Sequence, residues 1–136
     1  MRTIKFRGGD IKTEAWHYGD LLQTNEGSVC IGVHGQYIDD GYHFNEMYDK
    51  TPYIDEDTIG QYTGLCDKNE KEIYEGDIID DSDLRYEVCW YDEIAAFMAE
   101  DIESKKPFLL SDLDLRESVI IGNIYDNPEL LKGGDE

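Results

Sequence analysis

At 136 residues, with 32 acidic against 12 basic side chains and a formal net charge of -20, the chain is sized for one hydrophobic core. Isoleucine, leucine, valine and phenylalanine still supply 32 residues, too many for a charge-driven disordered chain. So negative a surface repels phosphate backbones and anionic membranes alike, which argues against direct nucleic-acid or membrane binding.

The charge is uneven. Residues 1 to 68 carry six basic and twelve acidic side chains, a balance of -6, and residues 69 to 136 carry six and twenty, a balance of -14. The opening runs the other way, with Arg2, Lys5, Arg7 and Lys12 set against Asp10 alone. Cys30, Cys66 and Cys89 are odd in number and widely spaced, so reduced thiols are expected rather than a disulfide framework or a cysteine zinc site. No apolar run approaches membrane-spanning length and the first residues lack a signal-peptide core, so a cytoplasmic location is expected.

Period-two alternation predicts a strand over Arg2 to Arg7, with Ile4 and Phe6 on one face. Ala15 to Gln23 and Ser28 to Val33 flank Thr24-Asn25-Glu26-Gly27 and read as a hairpin. From His34 to Asp57 the chain is polar and irregular, with one short helical turn near Phe44 to Tyr48. A second hairpin is expected from Thr58 to Leu65 and Lys71 to Ile79, about the loop Cys66 to Glu70. Leu84 to Tyr91 and Ile94 to Ala99 read as strands about a turn at Asp92-Glu93, the latter with a helical alternative. Phe108 to Leu115 is ambiguous, and the apolar run Ser118 to Tyr125 suits a central strand. Asn127 as N-cap and Pro128 at the first helical position predict a short C-terminal helical turn that seats Leu130 and Leu131. Many short strands and little helix give a mainly β fold, a small barrel or roll.

No common catalytic constellation appears. Asp55 to Gly60 opens like a calcium loop but puts Ile59 at the fifth position and Cys66 at the twelfth, so it is rejected. His17, His34 and His43 have no metal-ligand spacing, and a Cys30–His34 dyad lacks the basic surroundings that activate a thiol. Asp77, Asp80, Asp81 and Asp83 would surround a cation only if their turn folded inward; acids in turns more often cap backbone N–H groups. Asp77 after Gly76 fits that structural role. No catalytic residue, cofactor or metal ligand is therefore assigned. Trp16, Tyr62, Tyr74, Trp90 and Tyr125 lie on expected strands, where large aromatics are core by default and a partner-binding surface if exposed.

Two stretches are more specific: Ile59 to Leu65 continuing through Lys71-Glu72-Ile73-Tyr74-Glu75-Gly76-Asp77-Ile78-Ile79, and Val119-Ile120-Ile121-Gly122-Asn123-Ile124-Tyr125-Asp126-Asn127-Pro128-Glu129-Leu130-Leu131. With the opening Ile4-Lys5-Phe6-Arg7, they resemble the YopX family of small phage and prophage proteins. The resemblance implies one domain over residues 1–131, with an N-terminal β region to residue 57, an SH3-like small barrel from 58, and a flexible acidic tail at 132–136. It departs from the family at Gly8-Gly9, where a first strand would end early, and at Glu70, where a glycine is usual and a side chain at positive φ is strained, so that a distorted loop, or strain taken by Asn69, is expected.

The function expected on these grounds is a non-enzymatic module in the bacterial cytoplasm that binds a protein partner or assembles into a homo-oligomer. The alternatives are a small metal-dependent enzyme using the Asp77 to Asp83 acids and a DNA-mimicking inhibitor of a basic host protein.

Overall fold

In the computed structural model the described residues are 2–32 and 52–132, and they form two compact units divided between Gln61 and Tyr62. The helical turn expected near Phe44 to Tyr48 lies outside the described residues. Among the described residues ten strands pair, all antiparallel, in sheets ordered β3-β2-β1-β4-β5 and β10-β6-β7-β8-β9. Both orders begin and end on different strands, so the sheets are open, and the closed barrel expected from the sequence is corrected.

In the first unit, β1 (Phe6–Asp10) pairs with β2 (Trp16–Gln23), and β2 with β3 (Val29–Gly32). The second pairing is the predicted hairpin, closed by the Thr24 N–H donating to the Ser28 carbonyl at 2.9 Å and by Gly27 at φ 91. The strand expected at Arg2 to Arg7 is displaced toward the C-terminus. Gly8 and Gly9 do not end it; they are buried inside it because the neighbouring strand comes too close for a side chain. A Cβ on Gly8 would overlap Ile54 Cγ2, and the Gly9 N–H donates to Thr58 Oγ1 at 2.8 Å. A Cβ on Gly19 would overlap the carbonyl oxygen of Gly32. Strand β4 (Ile54–Cys66) starts four residues before the expected Thr58, since Ile54 and Asp55 already pair with Asp10 and Gly9.

In the second unit the end of β4 pairs with β5 (Glu72–Tyr74), Tyr62 opposite Tyr74. The run Lys71 to Ile79 is two strands, not one: Gly76, at φ 92, breaks it and β6 (Asp77–Asp80) follows. The buried Asp77 carboxylate accepts the Tyr74 N–H at 2.8 Å across that turn, as its position after glycine suggested. Next come β7 (Arg85–Tyr91) and β8 (Ala96–Asp101), so the helical alternative for 94–99 is set aside. The ambiguous segment resolves into β9 (Pro107–Leu109) and 3-10 turns at Leu110–Asp112 and Leu115–Glu117.

The core of this unit gathers Ile73, Ile79, Tyr86, Val88, Ala99 and Leu110, each at most 4% exposed. Alternation decides membership: Tyr86 and Val88 on β7 share a face with Ala99 on β8 and Ile79 on β6. The apolar run Ser118 to Tyr125 gives β10 (Val119–Asn123), an edge strand rather than the expected central one. It tolerates so many isoleucines because its outer side is occupied: the Lys68 N–H donates to the Ser118 carbonyl at 2.9 Å, and the Ile120 N–H to Asp67 Oδ2 at 3.0 Å.

That carboxylate is the main clasp of the unit. Asp67 is 6% exposed, and it also accepts the Asn69 N–H at 2.8 Å and the Lys71 N–H at 3.0 Å. Burial raises its pKa, but the three N–H donors outweigh that and hold it below that of an ordinary aspartate. Glu70 takes the positive φ, 64, inside the loop thus clamped. The C-terminal turn, Pro128–Lys132, is 3-10. Asn127 does not cap it in the expected direction; its Oδ1 accepts from the Asn123 N–H behind it, at 3.2 Å.

Gly19→Ala is expected to destabilise the chain by about 1–3 kcal/mol, because the obstacle is backbone that cannot rotate away; urea unfolding measures it. Asp67→Ala should cost about 3 kcal/mol, as it strands buried N–H donors. The folded Asp67 ionises at lower pH than the unfolded one, so its contribution is full above the unfolded value and disappears as pH falls through the folded one. Asp67→Asn should flatten the acid limb of the stability curve below about pH 4, where an unperturbed aspartate titrates.

Candidate functional site

Of the acids proposed for metal chemistry, Asp77, Asp80 and Asp81 already accept backbone N–H groups. Asp80 Oδ1 accepts from the Ser82 N–H at 2.6 Å and its Oδ2 from Arg85 Nε at 3.3 Å. Asp81 Oδ1 accepts from the N–H groups of Asp83 and Leu84 at 3.0 and 2.8 Å, and its Oδ2 from the Tyr86 hydroxyl at 3.3 Å. Burial, then the Asp81 charge, pushes that phenol up to about 12. Beside this turn lies a cleft of about 230 Å³, lined among others by Asp80, Asp83, Arg85, Asp101, Glu103 and Leu130. Asp101, at its wall, is satisfied by the Glu103 N–H at 3.0 Å and the Ser104 hydroxyl at 2.9 Å. Among the described residues no group of three or more His, Cys, Asp and Glu side chains is arranged to hold a metal ion.

The five aromatic residues do not form one cluster. Trp16, in the first unit, is half-buried under the Arg7 guanidinium, 4.8 Å from the ring centroid. Arg7 is itself 5% exposed, so the basic start of the chain does not present it to a phosphate. Tyr62 and Tyr74 form a tilted ring pair at 5.6 Å, and Tyr74 is buried. Burial and the Cys66 thiol at 3.8 Å push the Tyr62 phenol up to about 12. Tyr125 is exposed on the turn after β10, its N–H donating to Asn123 Oδ1 at 2.9 Å.

Trp90 is different. It lies on the face of β7 that carries Tyr86 and Val88, one pair beyond the core, opposite Phe97. The indole is 42% exposed, packs edge-on against Phe97 at 4.9 Å, and donates its N–H to Asp92 at 2.8 Å. Ile94, 55% exposed, projects from the same hairpin turn, where Ala95 takes φ 51. The core face thus runs out to a fixed, solvent-facing aromatic tip. Phe97 and Ile94 were not singled out from sequence, although the hairpin register places Phe97 opposite Trp90 once the turn is known.

The other face of the same hairpin holds a pair the sequence reading missed. Glu87 and Glu100 are directly opposite, both half-buried, and the Tyr91 hydroxyl donates to Glu100 at 2.6 Å. Burial, then the charge of Glu100, raises the Glu87 pKa, partly offset by Lys105. Cys89, between Glu87 and Tyr91, is pushed up to about 11 by burial and by Glu100, Glu87 and Glu75. Such a thiol is a poor nucleophile at neutral pH. Cys30 is fully buried, and its proposed partner His34 lies outside the described residues.

A family model described as YopX protein matches residues 5–132. The chain belongs to the YopX family. Among solved structures it is similar to the crystal structure of protein EF1440 from Enterococcus faecalis, at 26% identity and a TM-score of 0.60, covering 97% of this chain and 100% of that one. No curated protein matches it. No helix among the described residues is long and apolar enough to cross a membrane.

Cys66 is exposed and Cys30 fully buried. A thiol reagent should therefore modify Cys66 in the native state and leave Cys30 untouched until unfolding, with peptide mass spectrometry as the readout.

Proposed function

We propose that this YopX protein is a non-enzymatic interaction module, encoded by a phage or prophage and acting in the bacterial cytoplasm, that engages a protein partner or further copies of itself. The observation that carries this reading is Trp90: an indole held in place by Phe97 and Asp92 yet 42% exposed. Tryptophan anchors of this kind dominate interface energetics, since a rigid side chain loses little entropy on binding. The backbone bonds made by Asp77, Asp80 and Asp81 weigh against the metal-dependent alternative, because ligands already committed to turns cannot converge on a cation.

The charge narrows the partner. Residues 62–136 carry 21 acidic and 7 basic side chains, a balance of -14, which favours a basic protein surface. The DNA-mimicking reading is the narrow form of this and requires binding that weakens steeply with salt.

Sedimentation of the pure chain, together with affinity purification from the host, tests the reading. Trp90→Ala is expected to weaken the association found at least about tenfold while the unfolding midpoint hardly moves. Recovery of neither a stoichiometric partner nor a self-assembly overturns it. Thermal stabilisation by millimolar magnesium, calcium or manganese would favour the metal-dependent alternative instead.

A further inference from the structure

Like charges directly opposite on an antiparallel pair repel, and a sheet normally avoids them. Glu87 and Glu100 occupy that relation on the face of the β7–β8 hairpin opposite the core. Neither is well hydrated, since both are half-buried. Along the same face Glu87 is preceded by Arg85, which is bonded to Asp80 of β6 at 3.3 Å, and followed by Cys89 and Tyr91, and Glu100 is preceded by the buried Met98. On the other side of β7, Glu87 stands opposite Ile78, which is fully buried. Glu75, from the turn before β6, adds negative charge near Cys89, and Lys105 supplies positive charge near Glu87. Of the two carboxyl groups, Glu100 accepts a hydrogen bond from the Tyr91 hydroxyl at 2.6 Å. The two carboxyl groups are therefore inequivalent: Glu100 is held by a hydroxyl donor, and Glu87 faces it from a partly desolvated position.

We propose that the Glu87–Glu100 pair is a proton-responsive latch on the hairpin that carries Trp90, with Glu87 taking up the proton opposite the Glu100 that Tyr91 holds in place. Proton uptake removes the cross-strand repulsion and tightens the hairpin; release at higher pH loosens it. The sign follows from linkage. The folded state binds this proton at higher pH than the unfolded chain does, so the contribution to stability grows as pH falls through the folded value and levels off below the unfolded one. This is the reverse of the Asp67 dependence, and the two act in different pH ranges. The latch goes beyond the proposed function, and its titration stands whether or not Trp90 meets a partner.

Carboxyl-carbon NMR on the intact chain labelled at glutamate tests it, with amide exchange of residues 90 and 97 recorded across the same pH series. The Glu87 midpoint is expected above that of an ordinary glutamate, and Glu100→Gln should lower it by roughly half a unit or more. Exchange at 90 and 97 should slow as Glu87 protonates, and Glu87→Gln should hold it slow at every pH. An ordinary Glu87 midpoint, a midpoint unmoved in Glu100→Gln, or exchange that ignores the titration would each overturn the latch. Because these readouts need no partner, their failure is distinct from a failure of the Trp90 reading.

Discussion

A single buried carboxylate organises the second unit. Asp67 receives N–H groups from its own loop, at Asn69 and Lys71, and one from Ile120, which is 53 residues distant in sequence. The first two fix the loop between β4 and β5; the third fastens that loop along the outer side of β10. Without it, an isoleucine-rich strand at a sheet edge would expose unpaired backbone, the arrangement that invites edge-to-edge association. With it, the last strand of the core is covered by the chain's own polar loop, and the long apolar run Ser118 to Tyr125 can stand at a margin of the sheet. The opposite margin is managed differently: β9 is three residues long and starts with Pro107, which has no N–H to offer.

The same hairpin serves two purposes because a strand has two faces. On one, Tyr86 and Val88 enter the core and Trp90 emerges from it; on the other, Glu87, Cys89 and Tyr91 form a strip of titratable groups. The cross-strand contacts that fix Trp90 against Phe97 are made by the same two strands that bring Glu87 and Glu100 together. Anything that changes the strength of the β7–β8 pairing is thereby felt at the aromatic tip.

Much of the fold was legible in the sequence. The turn Thr24 to Gly27, the strand–turn–strand reading of Leu84 to Ala99 and the role of Asp77 after Gly76 follow from local rules, because each depends on residues close together in the chain. The misreadings share a different cause. Gly8 and Gly9 looked like a strand ending, and only the approach of Ile54 makes them the interior of one. The isoleucines of β10 looked central, and only Asp67 and Lys68, contributed from a distant loop, allow them at an edge. Sheet closure is likewise a matter of which strands meet, and local pattern predicted a barrel where the strands stay open. Of the five aromatic candidates, sequence could not say that Tyr74 is buried, that Trp16 is covered by Arg7, or that Trp90 stands one pair beyond the core. The Glu87–Glu100 pair follows from a four-residue turn, Asp92 to Ala95; counting outward from the expected two-residue turn at Asp92-Glu93 sets Glu87 opposite Met98 instead.

Positive φ at residues other than glycine occurs at Glu14, Glu70, Ser82, Ala95 and Lys105, each in a turn between consecutive strands. Among the described residues Gly27 and Gly76, in turns, and Gly64, within β4, meet the same backbone demand with the residue best suited to it. Left-handed backbone costs an ordinary residue about 1–2 kcal/mol, and glycine recovers most of that at an entropic loss of about 0.5–1 kcal/mol. The five tips thus hold an unclaimed margin of stability that lies outside the core altogether. A sturdier version of this protein is reachable by editing its corners, with the packed interior left as it is.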